Sequence, residues 1–119
     1  MRIECIQTSV YNPANLLMNS DLREYLRVGD LFWVYGIRFF QNVVYVYIYN
    51  GDHLFEVSME MFKVIDSFVS EKWKIKIWND GTITLWPELF YESEFIENFA
   101  EHEEKERELF KKLSIEIER

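Results

Sequence analysis

Every residue from Val43 to Tyr49 is either β-branched or a tyrosine. Such side chains lose freedom in a helix and fit a pleated surface, so this stretch reads as a strand with little competition. Alternation along a strand puts Val44, Val46 and Ile48 on one face and Tyr45, Tyr47 and Tyr49 on the other. With no polar face, the strand fits a sheet covered by a second layer. The tyrosine stripe then has two arrangements open to it. It is a second buried face under the C-terminal helical segment, or an exposed recognition surface of the kind tyrosine favours.

The neighbouring sequence extends the β pattern. Arg2–Ile6 alternates polar and apolar and reads as a first strand. Leu31, Trp33 and Tyr35 point one way, and Phe32 and Val34 the other, in a strand expected to pair as a hairpin with Val43–Tyr49 through Gln41-Asn42. Gly36 interrupts that strand and marks a bulge or a close backbone approach. Asn50-Gly51 suits a type I′ turn leading into a strand over His53–Val57. Ser58 can cap a single helical turn at Met59–Phe62, after which Lys63–Asp66 returns to extended chain. In Lys72–Trp78, Trp73, Ile75 and Ile77 are expected inward and Lys72, Lys74 and Lys76 outward. Asn79-Asp80-Gly81 turns this strand back onto Thr82–Trp86, and Pro87 ends the sheet. Between the first strand and Val28 the chain is irregular, with Asn12-Pro13 as a turn and a short helical piece over Ala14–Met18.

Beyond Pro87 the pattern turns helical, and the charge collects there. Nine glutamates (Glu88, Glu92, Glu94, Glu97, Glu101, Glu103, Glu104, Glu106, Glu108) face only Lys105 and Arg107, giving this stretch seven of the chain's net eight negative charges. Ser93 is the expected N-cap. Phe95, Ile96 and Phe99 form one apolar cluster, and Leu109, Phe110, Leu113 and Ile117 form another. Ala100–Glu108 between them is almost wholly polar, so the helix bends near Glu101 or crosses solvent there. Over Ser114–Glu118 the period drops to two, which makes helix least secure there. The like-charge pairs Glu97/Glu101 and Glu104/Glu108 each weaken the helix slightly. A one-signed field kept at that cost suits a basic protein partner and repels nucleic acid and anionic lipid.

Chemistry is sparse. His102-Glu103-Glu104 lacks the second histidine of a zinc helix, since position 106 is Glu106, and two histidines with one cysteine supply no zinc set. Cys5 in a strand reads as a small buried hydrophobe, and a lone cysteine suits a reducing compartment. Four scattered glycines build no phosphate loop. The lysines of Lys72–Lys76 face away from Trp73, so a stacking surface for bases and a phosphate-binding row do not coincide. No enzyme activity, cofactor or metal is expected, and no stretch approaches the roughly 18 apolar residues of a membrane span. Residues 1 to 11 contain no secretory apolar run, so a cytoplasmic location is expected.

Several short motifs carry a resemblance. They are Val28-Gly29-Asp30 leading to Val34-Tyr35-Gly36-Ile37, then Phe62-Lys63-Val64-Ile65-Asp66, Trp73, and Ile83-Thr84-Leu85-Trp86-Pro87-Glu88-Leu89, followed by the acidic run ending Glu108-Leu109-Phe110. With them the chain resembles small acidic immunity proteins of bacterial toxin–immunity systems, including contact-dependent inhibition and other polymorphic toxins. The resemblance implies a β-barrel core with an acidic helical tail, and neutralisation of a cognate toxin by occlusion. Many toxins that attack nucleic acid are basic, and an acidic inhibitor mimics their substrate's charge.

The expected fold is therefore α+β, mainly β: a small twisted antiparallel sheet or SH3-like, partly open barrel with a C-terminal helical segment. One domain spans 1–119, with a β-rich core over 1–86 and an acidic helical segment over 87–119. The expected partner surface is Glu94, Glu97, Glu101, Glu104 and Glu108, spaced to share roughly one helix face, with His102 at the rim. The rival expectation is a small-ligand or peptide-binding barrel using the Tyr45/Tyr47/Tyr49 face.

Overall fold

The computed structural model describes residues 1–10, 20–101 and 103–118. Two antiparallel sheets and two C-terminal helices share one hydrophobic core. The fold is mainly β, as the alternating patterns require, and its two sheets stay open rather than closing into a barrel. The smaller sheet has the order β4 (Leu31–Trp33), β1 (Arg2–Cys5), β8 (Phe62–Asp66). The larger has the order β7 (Leu54–Ser58), β6 (Val43–Tyr49), β5 (Gly36–Phe40), β10 (Ile83–Trp86), β9 (Lys74–Ile77). A separate two-stranded pair joins β2 (Ser9–Val10) to β3 (Ser20–Asp21). The helical piece expected over Ala14–Met18 lies outside the described residues.

The strand expected over Leu31–Tyr35 is split between the sheets. The Val34 amide donates to the Met1 carbonyl beside the small sheet, and the Tyr35 amide donates to Tyr47 in the large one. Val34 and Tyr35 are both buried, so alternation fails where the chain crosses between sheets. The partner of β6 is accordingly the strand that Gly36 begins, in the register Gly36↔Tyr47 to Phe40↔Val43. Its two-residue turn is Gln41-Asn42, with φ of 49° and 65°, the double left-handed geometry of a type I′ hairpin. Gly36 does mark a close approach: a Cβ there would sit 2.7 Å from the Trp86 ring.

Asn50-Gly51 is not the type I′ turn its residues suggest. Tyr49 pairs with Leu54, so the loop holds four residues, and β7 starts one residue after His53. Asn50 Oδ1 accepts from the amides of Asp52 (3.0 Å) and His53 (2.8 Å), a side-chain turn that replaces the backbone one. Ser58 caps as expected. Its Oγ accepts from the Glu60 amide and starts a 3-10 turn over Met59–Met61.

Both faces of β6 are partly or fully covered. Val46 and Ile48 are buried in the same core as Ile3, Cys5 and Phe32 of the small sheet. On the opposite face the C-terminal segment supplies the cover. After Pro87 comes a 3-10 turn (Glu88–Tyr91), then α1 (Phe95–Ala100) and α2 (Glu104–Ile117). Phe90, Phe95, Phe99, Phe110 and Ile117 are buried. Tyr47 meets Phe90 edge-on at 5.4 Å between ring centres, and Tyr49 meets Phe110 edge-on at 4.9 Å and Phe99 at 5.9 Å. Of the two arrangements open to the tyrosine stripe, Tyr47 and Tyr49 adopt the covered one.

The expected inward face of Lys72–Trp78 is corrected. Trp73 is buried, but Ile75 is 70% exposed and Ile77 73%. β9 is the last strand of the large sheet, and the second layer does not reach that far. Alternation places both isoleucines on one face without supplying anything to bury them.

Candidate functional site: the acidic C-terminal arm

The arm from Glu88 to Glu118 is built by aromatic docking on one side and left charged on the other. The helix does not run through Ala100–Glu108. It stops at Ala100, and the Glu103 amide turns back to donate to the Asn98 carbonyl at 3.1 Å before α2 begins at Glu104. Two apolar clusters separated by a charged stretch thus give two short helices, each anchored by its own aromatics. α1 is not capped by Ser93. Glu94 precedes it in the left-handed region (φ 64°), and its carbonyl accepts from the Asn98 amide at 2.9 Å. A non-glycine residue held there costs about 1–2 kcal/mol, which docking of Phe95 and Phe99 offsets.

This break redistributes the expected partner residues. Glu97 lies in α1, Glu94 and Glu101 flank it, and Glu104 and Glu108 belong to α2. They are spread over and beside two helices and do not form a stripe along one. All five are exposed. His102, expected at their rim, lies outside the described residues.

The electrostatics of the arm turn on Arg107. Its guanidinium is half-buried over the Phe99 ring, 4.1 Å from the ring centre. It donates to the Asp52 carbonyl at 3.0 Å, and more loosely to the Phe99 carbonyl and the Tyr49 hydroxyl at 3.4 Å each. The stem and cation of Arg107 therefore pin α2 to α1 and to the β6–β7 loop. Among the described residues, none of the nine glutamates from Glu88 to Glu108 forms an ion pair with a lysine or arginine. Glu106 alone of the nine is partly buried, and it accepts from the Asn98 side-chain amide at 3.3 Å.

The far end of the arm is tied down as well. α2 stays helical to Ile117 despite the period-two pattern, because Ile117 is buried and the Tyr35 hydroxyl donates to Glu118 Oε2 at 2.7 Å. Burial, reinforced by that hydrogen bond to a carboxylate, pushes the Tyr35 phenol far above its ordinary value. Burial and the nearby Glu56 carboxylate do the same to Tyr47. Glu56 itself forms a bidentate pair with Arg38, whose guanidinium lies 4.6 Å from the Tyr45 ring centre. Tyr45 is therefore capped by a cation where Tyr47 and Tyr49 are capped by aromatics.

Other places for chemistry give little. Cys5 is fully buried, and burial raises its thiol pKa, which suits the packing role read from its sequence context. Among the described residues, no three His, Cys, Asp or Glu side chains converge as metal ligands do. No helix among them is long and apolar enough to cross a membrane. A cleft of about 370 Å³ runs between Trp73, Leu109 and Leu113, and its rim carries Lys72, Lys112, Glu88 and Glu116 in balanced charge. Compared with known protein families, curated proteins and solved structures, the chain matches none.

The role of Arg107 was not legible in the sequence, where it counted as one of two charges offsetting the glutamates. The available signal was its position three residues before Phe110. A cation on the same helix face as Phe110 and Ile117 is placed to reach inward.

Proposed function

We propose that this chain is a non-catalytic binding protein that captures a basic protein through its C-terminal acidic arm. We further propose, following the resemblance to immunity proteins, that the captured protein is a toxin whose active site is thereby occluded. The observation that supports this reading is the state of the arm's charges. Eight of the nine glutamates are exposed, all nine lack an ion pair among the described residues, and the nearest arginine is turned onto Phe99. A carboxylate excess on an arm docked through its aromatics steers a cationic partner, and docking before binding lowers the reorganisation cost.

The rival use of the tyrosine face has less support, since a ligand there would have to displace aromatic contacts to Tyr47 and Tyr49. The test uses the product of the neighbouring reading frame as the candidate toxin, co-expressed with this chain in a bacterial host. Rescue of growth is expected, with an association rate that falls steeply as salt rises. The triple variant Glu97→Gln, Glu101→Gln, Glu104→Gln should slow association about tenfold at low salt with little change in stability. An association rate indifferent to both salt and these substitutions would overturn the reading.

A further inference from the structure

The outer edge of β9 is the one place where the large sheet ends in a strand exposed along its whole length. Among the described residues nothing pairs with that edge. Its two faces differ in chemistry. Lys74 and Lys76 stand on the face that carries Thr84 and Trp86, opposite Trp86 and Thr84 respectively in the ladder. Ile75 and Ile77 stand on the other, opposite Leu85 and Ile83, and the apolar row continues to Phe39, which is 43% exposed. Lysines on an edge ordinarily discourage pairing with other strands. Here they protect one face only, and the other presents a contiguous aliphatic strip to water.

We propose that this edge accepts an extended segment of a partner protein whose side chains alternate between carboxylate and aliphatic. Adding such a strand continues the sheet. It sets a carboxylate opposite each lysine and an aliphatic group against Ile75 and Ile77, while the main-chain ladder supplies register. Lys76 is held ready, its ammonium 3.7 Å from the centre of the Trp78 ring, and the Trp78 indole N–H donates to Thr84 Oγ1 at 3.0 Å. Charge complementarity decides the occupant. Pairing β9 antiparallel with β9 of a second copy keeps each face with its own kind, so the centred registers set Lys74 against Lys76, Lys74 against itself, or Lys76 against itself. Each opposes like charges at the closest cross-strand distance. The acidic arm of a second copy is no substitute, because its carboxylates sit on and beside helices and offer no free strand. This edge and the arm take partners of opposite charge, so the two sites fail or stand independently.

The test titrates the isotopically labelled full chain with a blocked peptide of three Glu-Val repeats, following amide resonances. Shifts are expected in β9 and β10. An isomer with its glutamates and valines in two blocks, and a version N-methylated at alternate residues, should each bind weaker by roughly tenfold or more, since each loses matched contacts or the ladder. The double variant Lys74→Glu, Lys76→Glu should exchange preference for a peptide of Lys-Val repeats, a gain that misfolding does not mimic. The proposal is overturned by equal binding of the N-methylated or blocked-order peptide, or by shifts centred outside β9 and β10. Concentration-dependent broadening of β9 without peptide, marking a second copy on this edge, overturns it too, as does an absence of shifts at about 1 mM peptide.

Discussion

The C-terminal arm and the β9 edge mix charged and apolar residues in similar measure, yet the structure treats them oppositely. In the arm the large aromatics pack into the core, and the charges left outside are mostly carboxylates, with Lys105, Lys111 and Lys112 among them. In β9 the isoleucines stay in water beside the lysines. The difference lies in what stands opposite each. The arm lies on the tyrosine face of β6, where Tyr47 and Tyr49 offer ring edges to Phe90, Phe99 and Phe110. β9 lies beyond the last element of the second layer. Amphipathic pattern states which residues are available for burial, and topology decides whether a surface exists to bury them.

The sharpest way to break this contrast is to remove the arm's anchor. Phe99 is 1% exposed and touches Phe95, Phe110, Tyr49 and Arg107. Phe99→Ala should cost about 3–5 kcal/mol in denaturant unfolding, as for other buried phenylalanines. A cost under 1 kcal/mol would mean the arm is not part of the cooperative core. A smaller effect comes from alkali. The Tyr35 and Tyr47 phenols are held above their ordinary values in the folded chain. The unfolded chain therefore releases their protons first, and stability present in full below about pH 10 declines as pH rises past it. Thermal unfolding across this range should show the decline, and Tyr35→Phe should lessen it. The smallest effect belongs to β9: Ile77→Thr should change stability by less than about 0.5 kcal/mol, because that side chain is already in water. A larger loss would reveal cover over β9 and remove the contrast.

Much of the sheet was readable from local residues. Ser58 caps its turn, Asn79-Asp80-Gly81 closes the β9–β10 hairpin, and Val43–Tyr49 forms the longest strand. These features depend on a few neighbouring side chains. What escaped depends on partners distant in the chain. Nothing in Leu31–Tyr35 indicates that its carbonyls and amides will divide between two sheets. Period two in Lys72–Trp78 is equally compatible with a covered and an uncovered strand. In the arm, the position of the glutamates was plain, but their division over two helices and the inward turn of Arg107 follow from docking that only the assembled sheet provides.

Gly36 links the two surfaces in a way neither shows alone. The ring that a Cβ at this position would strike, Trp86, also touches Trp78 beside β9 and Phe90 at the root of the arm. A single added methyl group would have to displace that indole within a cluster that also holds Tyr47 and Tyr91. The missing side chain at Gly36 thus makes room for a ring that the cationic margin and the anionic one both lean on, and a substitution there would disturb the packing beside each.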